Sequence, residues 1–112
     1  MQQITWQDFE KVELRVGRII SAQAFPEARK PAYKLVVDFG ETLGTRKSSA
    51  QITELYQCDE LIGKLVVAVI NFPPKQIGPM MSECLVTGFA NSDGAVALCV
   101  PDRDVPLGTK LF

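Results

Sequence analysis

An uninterrupted apolar run at residues 65–70, followed closely by two adjacent prolines, constrains the fold more than any other feature of the sequence. The run contains three valines and one isoleucine, and it includes no charged residue, glycine or proline. A run rich in β-branched residues and without polar alternation is typical of a strand that is buried on both faces. Pro73 and Pro74 cannot donate to a strand ladder, so the strand must end before them. The sequence therefore predicts a central buried strand that leads into a stiff segment at residues 71–82.

The first strand is predicted from an alternation of apolar and polar residues. Val12, Leu14 and Val16 are expected to point inward. The alternation breaks at Gly17-Arg18 and resumes at the next residue. A glycine at such a break indicates a β-bulge or a sharp bend. A long first strand that bends near its middle is what a small closed barrel requires.

The remaining elements follow from periodicity, capping residues and turn signals. Thr5 is expected to cap a short helix at residues 6–12, and alternate residues from Tyr33 to Phe39 share one face of the second strand. The other predicted elements are strands at 33–40 and 45–50, a helix at 51–56, the buried strand at 65–70, a Gly78-Pro79 turn, and strands at 84–89 and 95–100. Three strands, a helix and further strands are the order of a mostly-β, five-stranded Greek-key barrel, the OB fold. The N-terminal helix and the extra C-terminal strands would be additions to this barrel.

Composition limits the chemistry that the protein can perform. The chain of 112 residues is expected to form a single domain. It has no histidine, and Cys58, Cys84 and Cys99 show no CxxC spacing. These facts argue against zinc sites and against acid–base or nucleophilic catalysis. We therefore expect a binding protein rather than an enzyme, with no metal and no cofactor.

The sequence also carries expectations about location. The N-terminus has neither the basic nor the apolar region of a signal peptide. No apolar run approaches the roughly 20 residues that a bilayer-spanning helix needs. Three widely spaced cysteines make a disulfide framework unexpected. We expect a cytoplasmic protein that does not insert into membranes.

Charge is distributed unevenly along the chain, although its formal net charge is only −1. Residues 15–47 include seven basic and three acidic residues, whereas residues 83–112 include two basic and four acidic ones. A local basic face can attract an anionic polymer even when the whole chain has no excess of positive charge.

Several short segments, taken in their order along the chain, resemble the tRNA-binding domain family. They are Glu13-Leu14-Arg15-Val16-Gly17, Tyr33-Lys34-Leu35, Gly44-Thr45-Arg46, Asn71-Phe72-Pro73-Pro74-Lys75, Ser82-Glu83 and Pro101-Asp102. The resemblance covers residues 9–110. It implies an OB-fold homodimer in which the N-terminal helix and the extra C-terminal strands form the dimer contacts.

Within this family, residues 25–29, 48–53 and 69–74 are similar to a branch of export-related chaperones. The tRNA-binding members usually carry Ser-Gly-Ile where this chain has Ala50-Gln51-Ile52, and Ser-Glu-Gly-Met where it has Ser82-Glu83-Cys84-Leu85. The resemblance implies a homodimeric cytoplasmic chaperone for unfolded, export-bound preproteins, with a surface for tRNA or structured RNA. Two alternatives remain, namely a structure-selective tRNA-binding protein without a chaperone role and a module that docks subunits.

The ligand face of the family implies six RNA-binding residues in this chain. They are Lys34, Arg46, Lys47, Asn71, Lys75 and Ser82. The four cations would contact phosphates, while Asn71 and Ser82 would bond to sugars or base edges. Without the family resemblance, Lys34 and Arg46 are better described as solvated strand residues.

An apolar group on the Pro-Pro segment favours peptide binding. It comprises Phe72, Ile77, Met80 and Met81. Methionines at an exposed site can repack around varied apolar ligands. The alternative is that Met80 and Met81 cover the core or the seam of the dimer.

Overall fold

The computed structural model describes all 112 residues and consists mainly of β-strands. The elements, in chain order, are α1 (Trp6–Glu10), β1 (Leu14–Ala24), β2 (Tyr33–Asp38), β3 (Thr45–Ala50), α2 (Cys58–Leu61), β4 (Leu65–Val69), β5 (Lys75–Ile77), β6 (Met80–Ser82), β7 (Leu85–Val86), β8 (Gly88–Ala90) and β9 (Val96–Leu98). Neither helix has the length and apolar character that a membrane span requires.

Five strands form one antiparallel sheet in the order β3-β2-β1-β4-β7. The sheet nearly closes on itself, because the Glu83 N–H donates to the Lys47 carbonyl at 2.7 Å and the Ser48 hydroxyl donates to the Cys84 carbonyl at 3.0 Å. The result is a nearly closed five-stranded barrel that is consistent with the OB fold, as the sequence predicts. Two hairpins, β5–β6 and β8–β9, lie outside this sheet.

The core forms around β4 and the inward face of β2. β4 lies between β1 and β7, and residues 66–70 are all buried. This confirms the predicted strand with two buried faces. Leu35 and Val37 on the inward face of β2, and Phe39 directly after it, are fully buried, as their parity predicts.

Of the two alternatives predicted at Gly17-Arg18, a bulge or a sharp bend, the bulge is wrong. The register of β1 against β2 shifts between Ile19 and Ser21, whereas Gly17 pairs regularly with β4. A Cβ atom on Gly17 would lie 2.5 Å from Val37 Cγ1 and 2.7 Å from Phe39 Cε1. The glycine is therefore required by close packing inside the barrel rather than by a bulge. The predicted inward direction of Val12 is also wrong, because this residue precedes β1 and is exposed.

The helix predicted at 51–56 is also wrong. Residues 53–55 form a turn, and the helix between β3 and β4 is α2, which is anchored by the fully buried Leu61. Tertiary hydrogen bonds override helix propensity here, because the Tyr56 carbonyl accepts from the Tyr33 hydroxyl and the Tyr56 hydroxyl accepts from the Leu98 N–H. Helix α2 begins after the predicted helix would have ended. Its N-cap is Gln57, whose N–H donates to the Glu60 carboxylate at 2.6 Å.

Further elements differ from the sequence prediction. The strands predicted at 33–40 and 95–100 are shorter, at Tyr33–Asp38 and Val96–Leu98. Helix α1 is shorter than predicted, although Thr5 caps it as expected and shares a reciprocal capping box with Asp8. The strand predicted at 84–89 is divided into β7 and β8 at Thr87, whose N–H and hydroxyl both donate to the Val67 carbonyl. The sequence does not predict the strands of the β5–β6 hairpin. Each has only three residues, which is too short for an alternation of apolar and polar residues to be recognised.

An ion-pair network ties the C-terminal tail to the start of β1. The Glu13 carboxylate accepts from Arg15 Nη2 at 2.7 Å and from Lys110 Nζ at 3.0 Å. Arg15 also donates to the Gly108 carbonyl, and Lys110 to the Glu10 carbonyl. The hydrogen bonds from Arg15 and then from Lys110 hold the pKa of Glu13 below its usual value of 4.5.

The Gly17→Ala substitution tests the packing requirement inside the barrel. We expect it to destabilise the protein by about 1–3 kcal/mol, because Val37 and Phe39 must move to admit the new methyl group. The measurement is the midpoint of urea unfolding. Gln23→Ala, at an exposed position on the same strand, is the control and should leave the midpoint near that of the wild type. An unchanged midpoint for Gly17→Ala would contradict the packing described here.

The Glu13→Gln substitution tests the network at the tail. A carboxylate whose pKa is lowered on folding stabilises the protein above its unfolded pKa, and this stability is lost as the pH falls through the folded pKa. We therefore expect Glu13→Gln to lower the melting temperature at neutral pH, and the difference from wild type to vanish as the pH falls below 4.5. The exposed Glu54, replaced by glutamine, is the control. A difference that is constant with pH would rule out the charge as its source.

Candidate ligand-binding groove

A groove of about 1020 Å³ lies between the β1–β2 loop and the β5–β6 hairpin. One wall comes from the loop and the other from the hairpin and the residues that precede it, while the floor comes from β3 and the segment that leads into β7. The lining residues are Ala28, Arg29, Lys30 and Ala32 on the loop wall; Phe72, Pro73, Lys75, Gln76, Ile77 and Gly78 on the hairpin wall; and Ser49, Gln51, Ser82, Glu83, Cys84 and Leu85 on the floor.

The stiff segment predicted at residues 71–82 contains the β5–β6 hairpin. The Gly78-Pro79 turn is present as the sequence predicts, and Gly78 has a φ of +54°. A Cβ atom on Gly78 would lie 3.3 Å from the Glu27 carbonyl oxygen and 3.6 Å from Phe25 Cζ. The tip of the hairpin therefore packs against the β1–β2 loop, and the two walls of the groove meet there.

The groove carries an excess of positive charge. Arg29, Lys30 and Lys75 line it, and Glu83 is the one acidic residue among the lining residues. None of the three cations takes part in an ion pair within 4.0 Å. Their charges are available to an anionic ligand such as a nucleic-acid phosphate.

Apolar side chains lie beside these cations in the same groove. Phe72 is 56% exposed and Leu85 is 49% exposed, while Ile77 is half-buried. Large exposed apolar side chains that share a concave surface are typical of a binding site.

Cys84 is buried in the floor, and burial raises the pKa of its thiol to about 11. The thiol is therefore protonated at neutral pH and is a poor nucleophile.

Two of the six predicted RNA-binding residues line the groove, namely Lys75 and Ser82. The Ser82 hydroxyl accepts from the Ser49 N–H at 3.3 Å and donates to the Cys84 carbonyl at 3.4 Å. The ammonium of Lys34 lies 5.4 Å from the centroid of the Phe25 ring, a cation–π distance, and Lys34 is outside the lining. Lys47 is exposed on β3, also outside the lining.

The other two predicted RNA-binding residues, Arg46 and Asn71, bond within the chain. Arg46 Nη1 donates to the Ile70 carbonyl at 3.1 Å. Asn71 Oδ1 accepts from the Glu13 N–H at 3.0 Å, and Asn71 Nδ2 donates to the Lys11 carbonyl at 2.7 Å. The assignment of all six residues to RNA remains a prediction.

Two of the four predicted peptide-binding residues, Phe72 and Ile77, line the groove. Met80 is only 8% exposed, which agrees with the alternative that it covers the core, and Met81 is exposed outside the lining. Their role in peptide binding also remains a prediction.

Sequence reasoning did not assign Arg29, Lys30 and Leu85 to the site. The two cations belong to the basic excess of residues 15–47, but they lie in a loop bounded by Pro26 and Pro31, where strand parity gives no direction. The signal that could have found them is the fold itself, because the first loop of an OB barrel commonly contacts the ligand.

A second apolar surface lies on α1, away from the groove lining. The rings of Trp6 and Phe9 pack with centroids 5.4 Å apart, yet Trp6 remains 63% exposed. Ile4 and Phe112, near the two ends of the chain, are also exposed. The network at Glu13 holds the tail beside α1, because Lys110 Nζ donates to the Glu10 carbonyl.

Comparison with known proteins gives a consistent result. Residues 14–110 match the family described as "Putative tRNA binding domain". The structure is similar to the crystal structure of the chaperone CsaA from Bacillus anthracis, with a TM-score of 0.92 and 44% identity over 99% of this chain and 100% of that one. It is also similar to the CsaA chaperone protein from Picrophilus torridus, with a TM-score of 0.91 and 51% identity over 98% of this chain and 100% of that one.

The similarity extends to methionine--tRNA ligases and to a MetRS related protein. A MetRS related protein from Pyrococcus horikoshii has a TM-score of 0.87 and 28% identity, with both chains fully covered. The methionine--tRNA ligase of Pyrococcus furiosus is 36% identical over 99% of this chain, and that of Methanocaldococcus jannaschii is 32% identical over 99%. The chain spans only 15% and 17% of the length of these two ligases.

Proposed function

The chain belongs to the tRNA-binding domain family, and we propose that within this family it is a homodimeric, CsaA-like chaperone that holds unfolded, export-bound preproteins. The proposal is supported by the full-length similarity to two CsaA chaperones, which covers the groove and α1 as well as the barrel. The observation that carries it is the composition of the groove.

The groove combines the two properties that a holder of unfolded chains needs. Phe72, Ile77 and Leu85 offer apolar surface that can bury side chains of varied shape. Its volume of about 1020 Å³ is at the upper end of the range for small-molecule pockets, so it can admit part of an extended peptide. The polar rim of lysine, arginine and serine can bond to the peptide backbone without selecting one sequence.

The groove offers no arrangement for catalysis, which supports a binding role. Burial raises the pKa of the Cys84 thiol in its floor to about 11 and so keeps the thiol protonated at neutral pH. The protein is thus proposed to act by holding its ligand.

A second candidate function is structure-selective tRNA binding without a chaperone role. The three unpaired cations, Arg29, Lys30 and Lys75, favour it, because they face the same groove as the apolar side chains. The likeness to the methionine--tRNA ligases also agrees with it. In our proposal both ligand classes use one surface, so tRNA and an apolar peptide compete for it.

The dimer and the location are further parts of the proposal. The exposed face of α1 would be covered by a second copy of the chain, since large exposed aromatic patches are rare on monomers. A cytoplasmic location agrees with three free cysteines, one of them buried and two half-buried.

The salt dependence of binding tests which cations contact RNA. Each phosphate contact lowers the slope of log affinity against log salt by about 0.7 for a single strand. We expect the triple variant Arg29→Ala, Lys30→Ala, Lys75→Ala to flatten the slope for tRNA by about two units. The matched variant Lys34→Ala, Arg46→Ala, Lys47→Ala removes three cations outside the groove lining and should flatten it less. The reverse order would move the RNA site to the outer faces of β2 and β3.

Peptide binding is expected to behave differently in the same experiment. Burial of apolar surface responds weakly to screening, so the affinity for an apolar peptide should change little across the salt series. Phe72→Ala should weaken it, and tRNA should displace the bound peptide. A chain that binds tRNA but no unfolded protein would favour the second candidate function, and a chain that binds neither would exclude both.

Removal of residues 1–10 tests the dimer. We expect the intact chain to have the mass of a dimer at micromolar concentration by light scattering. The truncated chain should dissociate into monomers at a higher protein concentration than the intact chain does. Trp6→Ala is a milder variant that keeps the Thr5–Asp8 cap and should shift the equilibrium in the same direction. A monomer mass for the intact chain would exclude the dimer.

A further inference from the structure

Two residues that the family resemblance assigns to RNA have their polar groups bonded elsewhere. The Asn71 amide uses its oxygen for the Glu13 N–H and its nitrogen for the Lys11 carbonyl. Lys11 is the C-cap of α1, and Glu13 directly precedes β1. The amide therefore connects the end of β4 to the junction between α1 and β1.

Arg46 holds the adjacent residue, Ile70, through a separate hydrogen bond. It lies on β3 and donates to the carbonyl of Ile70, which follows the last residue of β4. Its side chain has no carboxylate within 4.0 Å and makes no other hydrogen bond. Residues 70 and 71 are thus held from β3 on one side and from the α1–β1 junction on the other.

The residues held in this way lead directly into the groove. Phe72 and Pro73 line the hairpin wall, whereas Asn71 and Arg46 do not line the groove. Pro73 and Pro74 each have a fixed φ, which stiffens the chain between Asn71 and Lys75. The Ile70 N–H also donates to the Glu13 carbonyl at 3.0 Å, so the two side chains, which do not line the groove, add to a backbone contact in fixing the base of the wall.

We propose that Asn71 and Arg46 are positioning residues, which fix the hairpin wall of the groove through Ile70 and the α1–β1 junction and do not contact the ligand. The inference rests on the proposed function of the groove as a binding site. It differs from a role in RNA contact in a measurable way. A phosphate contact affects RNA alone and changes the salt slope, whereas a positioning residue affects every ligand of the groove and leaves the slope unchanged.

The binding experiment compares Asn71→Ala and Arg46→Met with the control Lys75→Ala. The probes are an oligouridine over a salt series and an apolar peptide. We expect Asn71→Ala and Arg46→Met each to weaken both probes by a similar factor, about tenfold for the loss of these hydrogen bonds, with the wild-type salt slope. Lys75→Ala should weaken the oligouridine alone and reduce the slope by about 0.7. Arg46→Lys, which keeps a donor for the Ile70 carbonyl, should restore peptide binding in part.

Loss of oligouridine binding alone, together with a smaller slope, in Asn71→Ala or Arg46→Met would overturn the proposal. It would show that these side chains contact phosphates directly. A wild-type affinity for both probes in the two variants would overturn it as well.

Amide hydrogen exchange decides the proposal even if the wild type binds neither probe, an outcome that would exclude the proposed function alone. We expect the Glu13 amide to exchange faster in Asn71→Ala but close to the wild-type rate in Asn71→Asp, which keeps the acceptor oxygen. Amides of β5 should exchange faster in Asn71→Ala and Arg46→Met, while those of β8 and β9 stay unchanged. Unchanged exchange in β5 would contradict a positioning role.

Discussion

The seam that closes the barrel is the interaction on which both the fold and the groove depend. Ser48 is the one fully buried polar residue, and its hydroxyl donates to the Cys84 carbonyl across the gap between β3 and the segment before β7. The Glu83 N–H bonds to the Lys47 carbonyl beside it. A buried hydroxyl without a partner would cost about 1–3 kcal/mol, so this bond both closes the sheet and satisfies the group. The same seam forms the floor of the groove, because Ser49, Glu83, Cys84 and Leu85 all line it.

Two of the strands in the barrel could be predicted closely from the sequence. β3 has the predicted bounds, and β4 ends one residue early, because burial on one or both faces leaves a clear pattern of side chains. Gly17 shows the limit of such reasoning. A glycine at a break in alternation has two physical causes, a bulge or a close approach of neighbouring side chains, and only the positions of Val37 and Phe39 distinguish them.

The candidate site was less accessible from the sequence, because its walls are loops whose residues bond at long range. Asn71 reaches Lys11 and Glu13, which are about sixty positions away along the chain, and no local pattern predicts that contact. Arg29 and Lys30 face the groove only because the tip of the hairpin packs against their loop. The apolar part was easier, since Phe72 and Ile77 follow a buried strand whose end the prolines mark.

The contact of Gly78 with the β1–β2 loop also determines where the chain can accept foreign sequence. The tip of an exposed hairpin is usually a tolerant site for insertions and labels. Here Gly78 at the tip has a positive φ, and a Cβ atom added to it would lie 3.3 Å from the Glu27 carbonyl oxygen. An insertion at the tip would therefore separate the two walls of the groove. The turn of the β8–β9 hairpin is different, because Gly94 has a φ of +83° but no atom within 4 Å of an added Cβ. A fluorophore or affinity tag attached beside Gly94 would leave the groove intact.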